Sequence, residues 1–368
     1  AGELKKYSSK VQAANVIETQ LKSKFESLSG PDFLKWMKET AEGIEEDTGI
    51  VKGIGKSLVE MQDEMKDEYE ARKAGKNFKT YKTPFEQINK EIGGLSVTDI
   101  YGVFAESGRG KSYLMIVLID ELLRQGANVL VKSYELRAYT WLSRLLSIIT
   151  AREGLITNEN KDTIGLANKK ILSAKLEGDE ELYFLHTLNK LNEYYPGKLI
   201  LQAKGDKQLS RTLDDLEREL IQHPEIDVVV LDPFYGLSDV TSGRNANKTA
   251  GGAAEGAARR FEVLVGEHQV IGLYAVQATI EKAKNEEGKR ELKMPKRDQI
   301  KTTKALLDIC TVLFGWDSAD GLGLLGIEKG RNGGEDFAVE LIAMMDHGVI
   351  REPGAGVDLS AMVDIDSF

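Results

Sequence analysis

The pattern of hydrophobic and polar positions changes near residue 80. Before it, apolar side chains recur at helical spacing without β-branched runs, which predicts a helical N-terminal extension over residues 1–79. One helix is predicted over residues 56–73, and its apolar face consists of Leu58, Met61, Met65 and Tyr69. The sequence leaves open whether this face packs on its own domain or on a neighbouring copy of the chain.

After residue 80, short apolar segments alternate with longer helical stretches, which is typical of a parallel sheet with helices on both faces. Strands are predicted at residues 98–104, 128–134, 198–203, 227–231, 270–276, 311–315, 323–327 and 337–342. The last few segments lie close together, so we expect antiparallel additions at one edge of the sheet. The pattern therefore predicts an α/β domain over residues 80–368.

Composition narrows the class of protein. The chain has 368 residues and a single cysteine, Cys310, which excludes a disulfide framework and a cysteine-built zinc site. The cysteine count fits a reducing cytoplasm. No apolar run approaches the roughly 20 residues that cross a bilayer, so we expect a soluble cytoplasmic protein. The net charge of −10 argues against bulk attraction to nucleic acid but permits a local basic channel. Because the chain starts at Ala1 and not at methionine, we expect that it has been trimmed.

A phosphate-binding loop follows the first predicted strand. Residues 105–112 read Ala-Glu-Ser-Gly-Arg-Gly-Lys-Ser and stand directly before a predicted helix, the setting that this motif requires. The glycines let backbone N–H groups face the phosphates, Lys111 can reach the β- and γ-phosphates, and Ser112 can ligate magnesium. We therefore expect ATP and Mg²⁺ as ligands. The predicted nucleotide-binding residues are Glu106, Ser107, Gly108, Arg109, Gly110, Lys111, Ser112 and Tyr113.

Two carboxylates stand at the ends of other predicted strands. Asp232 follows four apolar strand residues, where it can hold a magnesium-bound water beside Ser112; the alternative is an ordinary turn residue. Glu135 follows the strand after the phosphate-loop helix and is the candidate that orients the attacking water. Glutamates at strand ends are commonly only solvated, so the residues alone leave this role open.

Over most of residues 80–350, the chain resembles the DnaB-type replicative helicases. The shared motifs, in the same order, are Gly93-Gly94-Leu95, the phosphate loop, Ser133-Tyr134-Glu135-Leu136, the strand ending at Asp232, Ala275-Val276-Gln277 and Glu328-Lys329-Gly330-Arg331-Asn332-Gly333. The resemblance implies a RecA-like P-loop ATPase core, with a mainly parallel twisted sheet flanked by helices. The helix predicted over residues 56–73 resembles that family's linker.

The resemblance also implies roles for individual residues. Glu135 is similar to the family's catalytic glutamate, and Gln277 resembles its sensor of the γ-phosphate. Lys329 and Arg331 resemble the cations that reach a neighbouring subunit's ATP, where an arginine finger stabilises charge on the transferred phosphoryl group. The alternative is a basic turn between two edge strands. Together with Lys111, these residues form the predicted catalytic set.

Two loops are the predicted contacts with DNA, residues 236–252 and residues 279–303. The first is rich in small polar residues and the second is dense in charge, and both are predicted to be mobile. Such residues suit a sugar-phosphate strand that is bound without reading its bases. The residues assigned to this contact are Arg244, Asn245, Asn247, Lys248, Lys282 and Lys284. Glutamates in the second loop leave open that it is only a solvated charged loop.

These expectations combine into an ATP-dependent helicase that forms a ring, a homo-hexamer, and translocates on single-stranded DNA to unwind duplex DNA in bacterial or viral replication. A primase or a loader is a further expected partner. Two rivals stay open. A RecA-type recombinase uses the same kind of ATP site in an open filament, and a ring ATPase scaffold uses it without nucleic acid.

Overall fold

A computed structural model describes residues 10–48, 55–73, 79–159, 161–241, 252–279 and 292–354. The chain divides into two compact units, residues 1–78 and residues 79–368. In the first unit, residues 10–16 are α-helical and continue through a π-helical stretch, Ile17–Leu21, into helix α1 (Lys22–Ser27). Helices α2 (Gly30–Thr48) and α3 (Leu58–Lys73) follow. The predicted helical N-terminal region is therefore confirmed.

The second unit alternates strands and helices. Its helices are α4 (Glu86–Ile92), α5 (Lys111–Arg124), α6 (Ala138–Glu153), α7 (Asn168–Leu172), α8 (Asp179–Asn189), α9 (Leu213–Gln222), α10 (Gly252–Glu267) and α11 (Ala305–Ile309). Its strands are β1 (Thr80–Tyr81), β2 (Leu95–Ser96), β3 (Ile100–Ala105), β4 (Val129–Ser133), β5 (Ile156–Thr157), β6 (Thr163–Ile164), β7 (Leu199–Ala203), β8 (Val228–Asp232), β9 (Ile271–Gln277), β10 (Val312–Ala319), β11 (Leu322–Gly330), β12 (Ala338–Met344) and β13 (Val349–Arg351).

Nine of these strands form one sheet, in the order β13-β12-β11-β10-β3-β9-β8-β4-β7. The six strands from β10 to β7 in this order are mutually parallel, and β11, β12 and β13 extend the β10 edge in antiparallel pairs. This arrangement confirms the predicted mainly parallel sheet and its antiparallel edge. Parallel strands share one carboxyl edge, where α/β proteins bind their ligands.

Hydrophobic cores lie on both faces of the sheet, as alternation along β3 illustrates. Tyr101, Val103 and Ala105 join the core beneath α5 and α6, whereas Ile100 and Phe104 join the core beneath α9, α10 and α11. Successive side chains of a strand point to opposite faces, so a strand buried on both faces is apolar throughout. The continuous apolar runs that predicted these strands have this physical cause.

The structure differs from the sequence prediction in some short elements. The two-residue strand pairs β1–β2 and β5–β6 were not predicted, because a pair of residues carries no readable periodicity. Part of the segment predicted to be a mobile loop, residues 279–303, is regular: Ala278 forms a β-bridge with Ile300, and residues 297–299 form a 3₁₀ turn. Within the described ranges, no helix combines the length and the apolar composition that a membrane span needs.

Candidate active site

The phosphate loop connects β3 to α5. Ala105, where such loops usually have glycine, is the buried last residue of β3. Gly108 and Gly110 have φ of 80° and 75°, in the left-handed region that glycine adopts at little cost. Helix α5 begins directly after Gly110, its N-cap residue, which makes no side-chain cap hydrogen bond. The N–H groups that open a helix lack partners one turn earlier in the helix, so this end of α5 suits an anion, which the helix dipole also favours.

Gly110 is fixed by a neighbour as well as by its backbone conformation. A Cβ atom built at this position would lie 2.0 Å from the Sδ of Met345, which belongs to the turn between β12 and β13. Any larger residue must therefore displace Met345.

Tyr113, the last of the predicted nucleotide-binding residues, is buried in α5. Its backbone N–H bonds to the carbonyl of Gly110, and the Arg144 guanidinium lies 5.4 Å from the centre of its ring.

Arg109 ties the phosphate loop to the end of β10. Its guanidinium Nε lies 3.7 Å from Asp317 Oδ1 and 3.8 Å from Glu106 Oε2, and its Nη1 donates to the carbonyl of Ser318 at 3.3 Å. Its own carbonyl accepts from the indole N–H of Trp316 and, at 2.9 Å, from the Ser318 hydroxyl. The shape of the loop is therefore held by a neighbouring strand, which the sequence alone did not reveal.

Lys111 and Asp232 face each other across the carboxyl edge. The Lys111 ammonium lies 3.6 Å from Asp232 Oδ1, and both side chains are buried. Asp232 Oδ1 accepts no hydrogen bond from any described residue. A buried carboxylate oxygen without a hydrogen-bond donor suits a magnesium-bound water. Ser112, the other residue predicted to hold Mg²⁺, is half-buried at the start of α5. Ser112 and Asp232 together fit the predicted Mg²⁺ site.

The described residues contain no group of three or more His, Cys, Asp or Glu side chains arranged to hold a metal ion. Magnesium needs no such protein cage here, because it is commonly held by one or two side chains together with nucleotide phosphates and water. A bound ion would neutralise charge on the β- and γ-phosphates. Ser112 and Asp232 would hold it.

Glu135 and Gln277 are joined by a residue that the sequence prediction missed. The hydroxyl of Tyr235 donates to Glu135 Oε1 at 2.6 Å and accepts from Gln277 Nε2 at 2.9 Å. Burial raises the pKa of Tyr235 above its usual value of 10, and the hydrogen bond to Glu135 raises it further. Tyr235 therefore stays a hydrogen-bond donor at neutral pH. The only sequence signal was its place three residues after Asp232.

The strand order explains why these groups meet. Strands β3, β9, β8 and β4 are consecutive in the sheet and carry at their carboxyl ends the phosphate loop, Gln277, Asp232 and Glu135, respectively. Register reinforces the alignment, since Ala105 pairs with Gln277 and Ser133 pairs with Asp232. Adjacent strands are about 4.8 Å apart, so the whole set spans roughly 14 Å of one edge.

The two predicted finger cations lie at the opposite edge. Lys329 pairs with Leu313, near the start of β10, because β11 runs antiparallel to it. The N–H of Arg331 donates to Thr311, and the N–H of Thr311 donates to Ile100, the first residue of β3. From there to the phosphate loop, β3 rises through about five residues, or roughly 16 Å. These cations are therefore remote from the phosphate loop of their own chain.

Both cations contact the C-terminal end of α11. Lys329 donates to the carbonyls of Leu307 and Asp308, and Arg331 Nη2 donates to the Asp308 carbonyl at 2.6 Å. Cations are favourable at this end of a helix, where carbonyl groups lack partners within the helix. Arg331 is exposed.

The residues assigned to DNA lie outside the described residues. They are Arg244, Asn245, Asn247, Lys248, Lys282 and Lys284. Of the other cations in the second predicted loop, Lys296 is paired with Glu328 at 2.8 Å. The Lys296 side chain therefore forms an ion pair within its own chain.

A family model for the AAA domain matches residues 67–277 of the chain. The chain belongs to the AAA domain family. A search of solved structures finds an ATPase domain at 14% sequence identity and a TM-score of 0.63, with 82% of this chain and 100% of that chain covered. It also finds a DnaB-like replicative helicase, in a structure that describes its interactions with primase, at 13% identity and a TM-score of 0.63, with 96% of this chain and 77% of that chain covered.

At these identities the likeness establishes a shared fold, and it confirms the resemblance to the DnaB-type core at that level. The RecA-like arrangement of the sheet is therefore confirmed. A sequence search of curated proteins finds no match.

Proposed function

We propose that this AAA domain protein is an ATP-driven helicase that acts as a homo-oligomeric ring, a hexamer, on single-stranded DNA in replication. The observation that carries the proposal is the division of the catalytic groups between two edges of the sheet. The carboxyl edge carries Lys111, Asp232, Glu135 and Gln277, whereas Arg331 lies at the amino edge.

Hydrolysis at the carboxyl edge would use each group in a separate role. Lys111 and the first turn of α5 bind the phosphates, and Ser112 and Asp232 hold Mg²⁺. Glu135 orients the attacking water, and Gln277 contacts the γ-phosphate. The reaction is transfer of the γ-phosphoryl group to water, for which positioning and charge stabilisation are the main requirements.

The position of Arg331 supports assembly. A finger must lie within hydrogen-bond reach of the transferred phosphoryl group, and roughly 16 Å separates Arg331 from the phosphate loop of its own chain along β3. An exposed arginine at the amino edge can instead reach the carboxyl edge of a second copy. A head-to-tail contact of this kind closes into a ring when the rotation between subunits permits it.

DNA contact is assigned to the two loops that follow β8 and β9. Both strands end at the carboxyl edge, so each loop leaves the sheet beside the ATP site. The residues proposed to bind the strand are Arg244, Asn245, Asn247, Lys248, Lys282 and Lys284. Cations and small polar groups suit binding that is independent of base identity. A primase or a loader remains a proposed further partner.

The test measures binding of an oligothymidylate and ATP hydrolysis by the full chain across a salt series. The double variant Arg244→Ala/Lys248→Ala is expected to weaken binding and to reduce the salt slope by about 1.4, since each phosphate contact on a single strand contributes about 0.7. Lys198→Ala/Arg218→Ala removes the same charge next to the amino end of β7 and in α9, away from both loops, and serves as the control.

The outcomes separate the rival functions. ATP hydrolysis that single-stranded DNA stimulates in the wild-type chain supports a DNA motor. Open filaments on DNA in electron micrographs would favour the recombinase. Hydrolysis that does not respond to DNA at any salt concentration would favour the ring scaffold and contradict the proposal.

A further inference from the structure

Tyr235 lies between two groups that the proposed function assigns to the γ-phosphate. Its hydroxyl donates to the carboxylate of Glu135 at 2.6 Å and accepts from the amide of Gln277 at 2.9 Å. The three residues come from the carboxyl ends of β8, β4 and β9, so one phenol links side chains from strands that lie roughly 10 Å apart.

The core fixes the backbone on both sides of Tyr235. Phe234 is fully buried, and its ring packs at an angle against Phe261 and Tyr274, with centroid distances of 6.1 and 6.0 Å. Gly236 lies so close to the ring of Tyr134 that an added Cβ would come within 2.3 Å of it. The turn Phe234–Gly236 is therefore held rigidly beside the residue that precedes Glu135.

We propose that Tyr235 is a positioning residue for ATP hydrolysis: its hydroxyl holds one oxygen of Glu135, and Gln277 directs the hydroxyl proton toward that oxygen. This inference rests on the proposed function, because the role is defined by hydrolysis. A carboxylate has two oxygens, so holding Oε1 assigns Oε2 to the attacking water. The carboxylate of Glu135 is therefore already oriented when the nucleotide binds, and such preorganisation accelerates the chemical step.

The same contact links Glu135 to the γ-phosphate. The amide of Gln277 carries two N–H donors, so one can bond Tyr235 while the other serves the phosphate. The backbone of Gln277 is also held, because its carbonyl accepts from the N–H of Lys301 at 2.9 Å. The γ-phosphate and the Tyr235 hydroxyl would therefore both bind the side-chain amide of Gln277. The orientation of Glu135 would depend on that amide through Tyr235.

The experiment removes one hydroxyl and compares it with a matched hydroxyl elsewhere. Tyr235→Phe keeps the ring and deletes the donor. Tyr183→Phe is the control, because Tyr183 also donates to a glutamate, Glu153, at 2.6 Å but lies in α8, outside the site. For the full chain with saturating single-stranded DNA, kcat for ATP is expected to fall about tenfold in Tyr235→Phe, with KM within about twofold of wild type. Tyr183→Phe is expected to match wild type.

A second measurement separates positioning from packing. Affinity for a fluorescent non-hydrolysable ATP analogue and the melting temperature are expected to be unchanged in Tyr235→Phe. The loss of kcat caused by Tyr235→Phe should also disappear in a Gln277→Ala background. The effects of two substitutions are not additive when the two side chains belong to one hydrogen-bonded network.

Three results would overturn the inference. Wild-type kcat in Tyr235→Phe would show that the hydroxyl is dispensable. A loss of analogue affinity and melting temperature that matches the loss of kcat would assign Tyr235 to packing. Full additivity with Gln277→Ala would show that the two side chains act separately. A wild-type chain whose hydrolysis does not respond to DNA would overturn the proposed function but not this inference, provided that Tyr235→Phe still lowers kcat. Stimulated hydrolysis with an unaffected Tyr235→Phe would overturn this inference alone.

Discussion

Two separate constraints act on Gly110, one from its own backbone and one from a distant part of the chain. Its φ of 75° is unfavourable for a residue with a side chain, and Met345 occupies the space that a Cβ would need. The phosphate loop therefore depends on the turn between β12 and β13. The phosphate-loop motif explains the glycine by phosphate contact, and nothing in the sequence near Gly110 indicates the contact with Met345.

Gly110→Ala is expected to lower affinity for ATP by at least about tenfold, because strain of about 1–3 kcal/mol and the displacement of Met345 both distort the loop. Gly126→Ala is the matched control for strain outside the loop, since Gly126 has φ of 90° and nothing lies within 4 Å of its added Cβ. Calorimetric titration with ATP checks the prediction. Equal affinities for the two variants would contradict the dependence of the loop on Gly110.

At the scale of elements, β4 is anchored by a buried lysine. The Lys132 ammonium is fully buried and bonds to Gln202 on β7, to Ser210 and, at 2.6 Å, to Glu219 on α9. Burial lowers the pKa of Lys132, which Glu219 opposes. The candidate catalytic residue Glu135 lies three residues after Lys132, just beyond the end of β4, so this cluster holds the strand that positions Glu135.

Lys132→Ala is expected to lower the apparent free energy of unfolding by about 3–5 kcal/mol, because it leaves Glu219 without its cation in a largely buried cluster. Lys170→Ala is the control: its ion pair with Glu180, at 2.9 Å, is exposed, so its loss is expected to cost less than about 1 kcal/mol. Urea unfolding followed by circular dichroism measures both. Similar losses for the two variants would contradict the structural role of the buried pair.

The sequence predicts the main strands and the phosphate loop of this structure but not the contacts between distant residues. The main strands were readable because burial on both faces makes them continuously apolar, and the phosphate loop was readable because its chemistry is local in sequence. Tyr235 was not, since its partners lie 100 and 42 residues away and are brought near only by the strand order. The tie between Arg109 and Asp317 also joins distant parts of the chain and was missed for the same reason.

At the scale of the whole molecule, the two sheet edges carry complementary parts of the proposed site. Each chain would supply phosphate binding and the water-orienting carboxylate at one edge and Arg331 at the other. An isolated chain would then lack a cation that its own reaction requires. Activity would depend on assembly, and each ATP would lie between two copies.

A mixture of two inactive variants tests whether each ATP site is shared between two copies of the chain. Lys111→Ala disables the phosphate loop but keeps the finger, and Arg331→Ala keeps the loop but removes the finger. Each alone is expected to hydrolyse ATP at least about 100-fold more slowly than wild type. In a 1:1 mixture allowed to exchange subunits, about a quarter of interfaces in a closed ring would combine an intact loop with an intact finger. DNA-stimulated hydrolysis is expected to recover to about that fraction. A mixture that stays as inactive as its two components would contradict an ATP site shared between two copies.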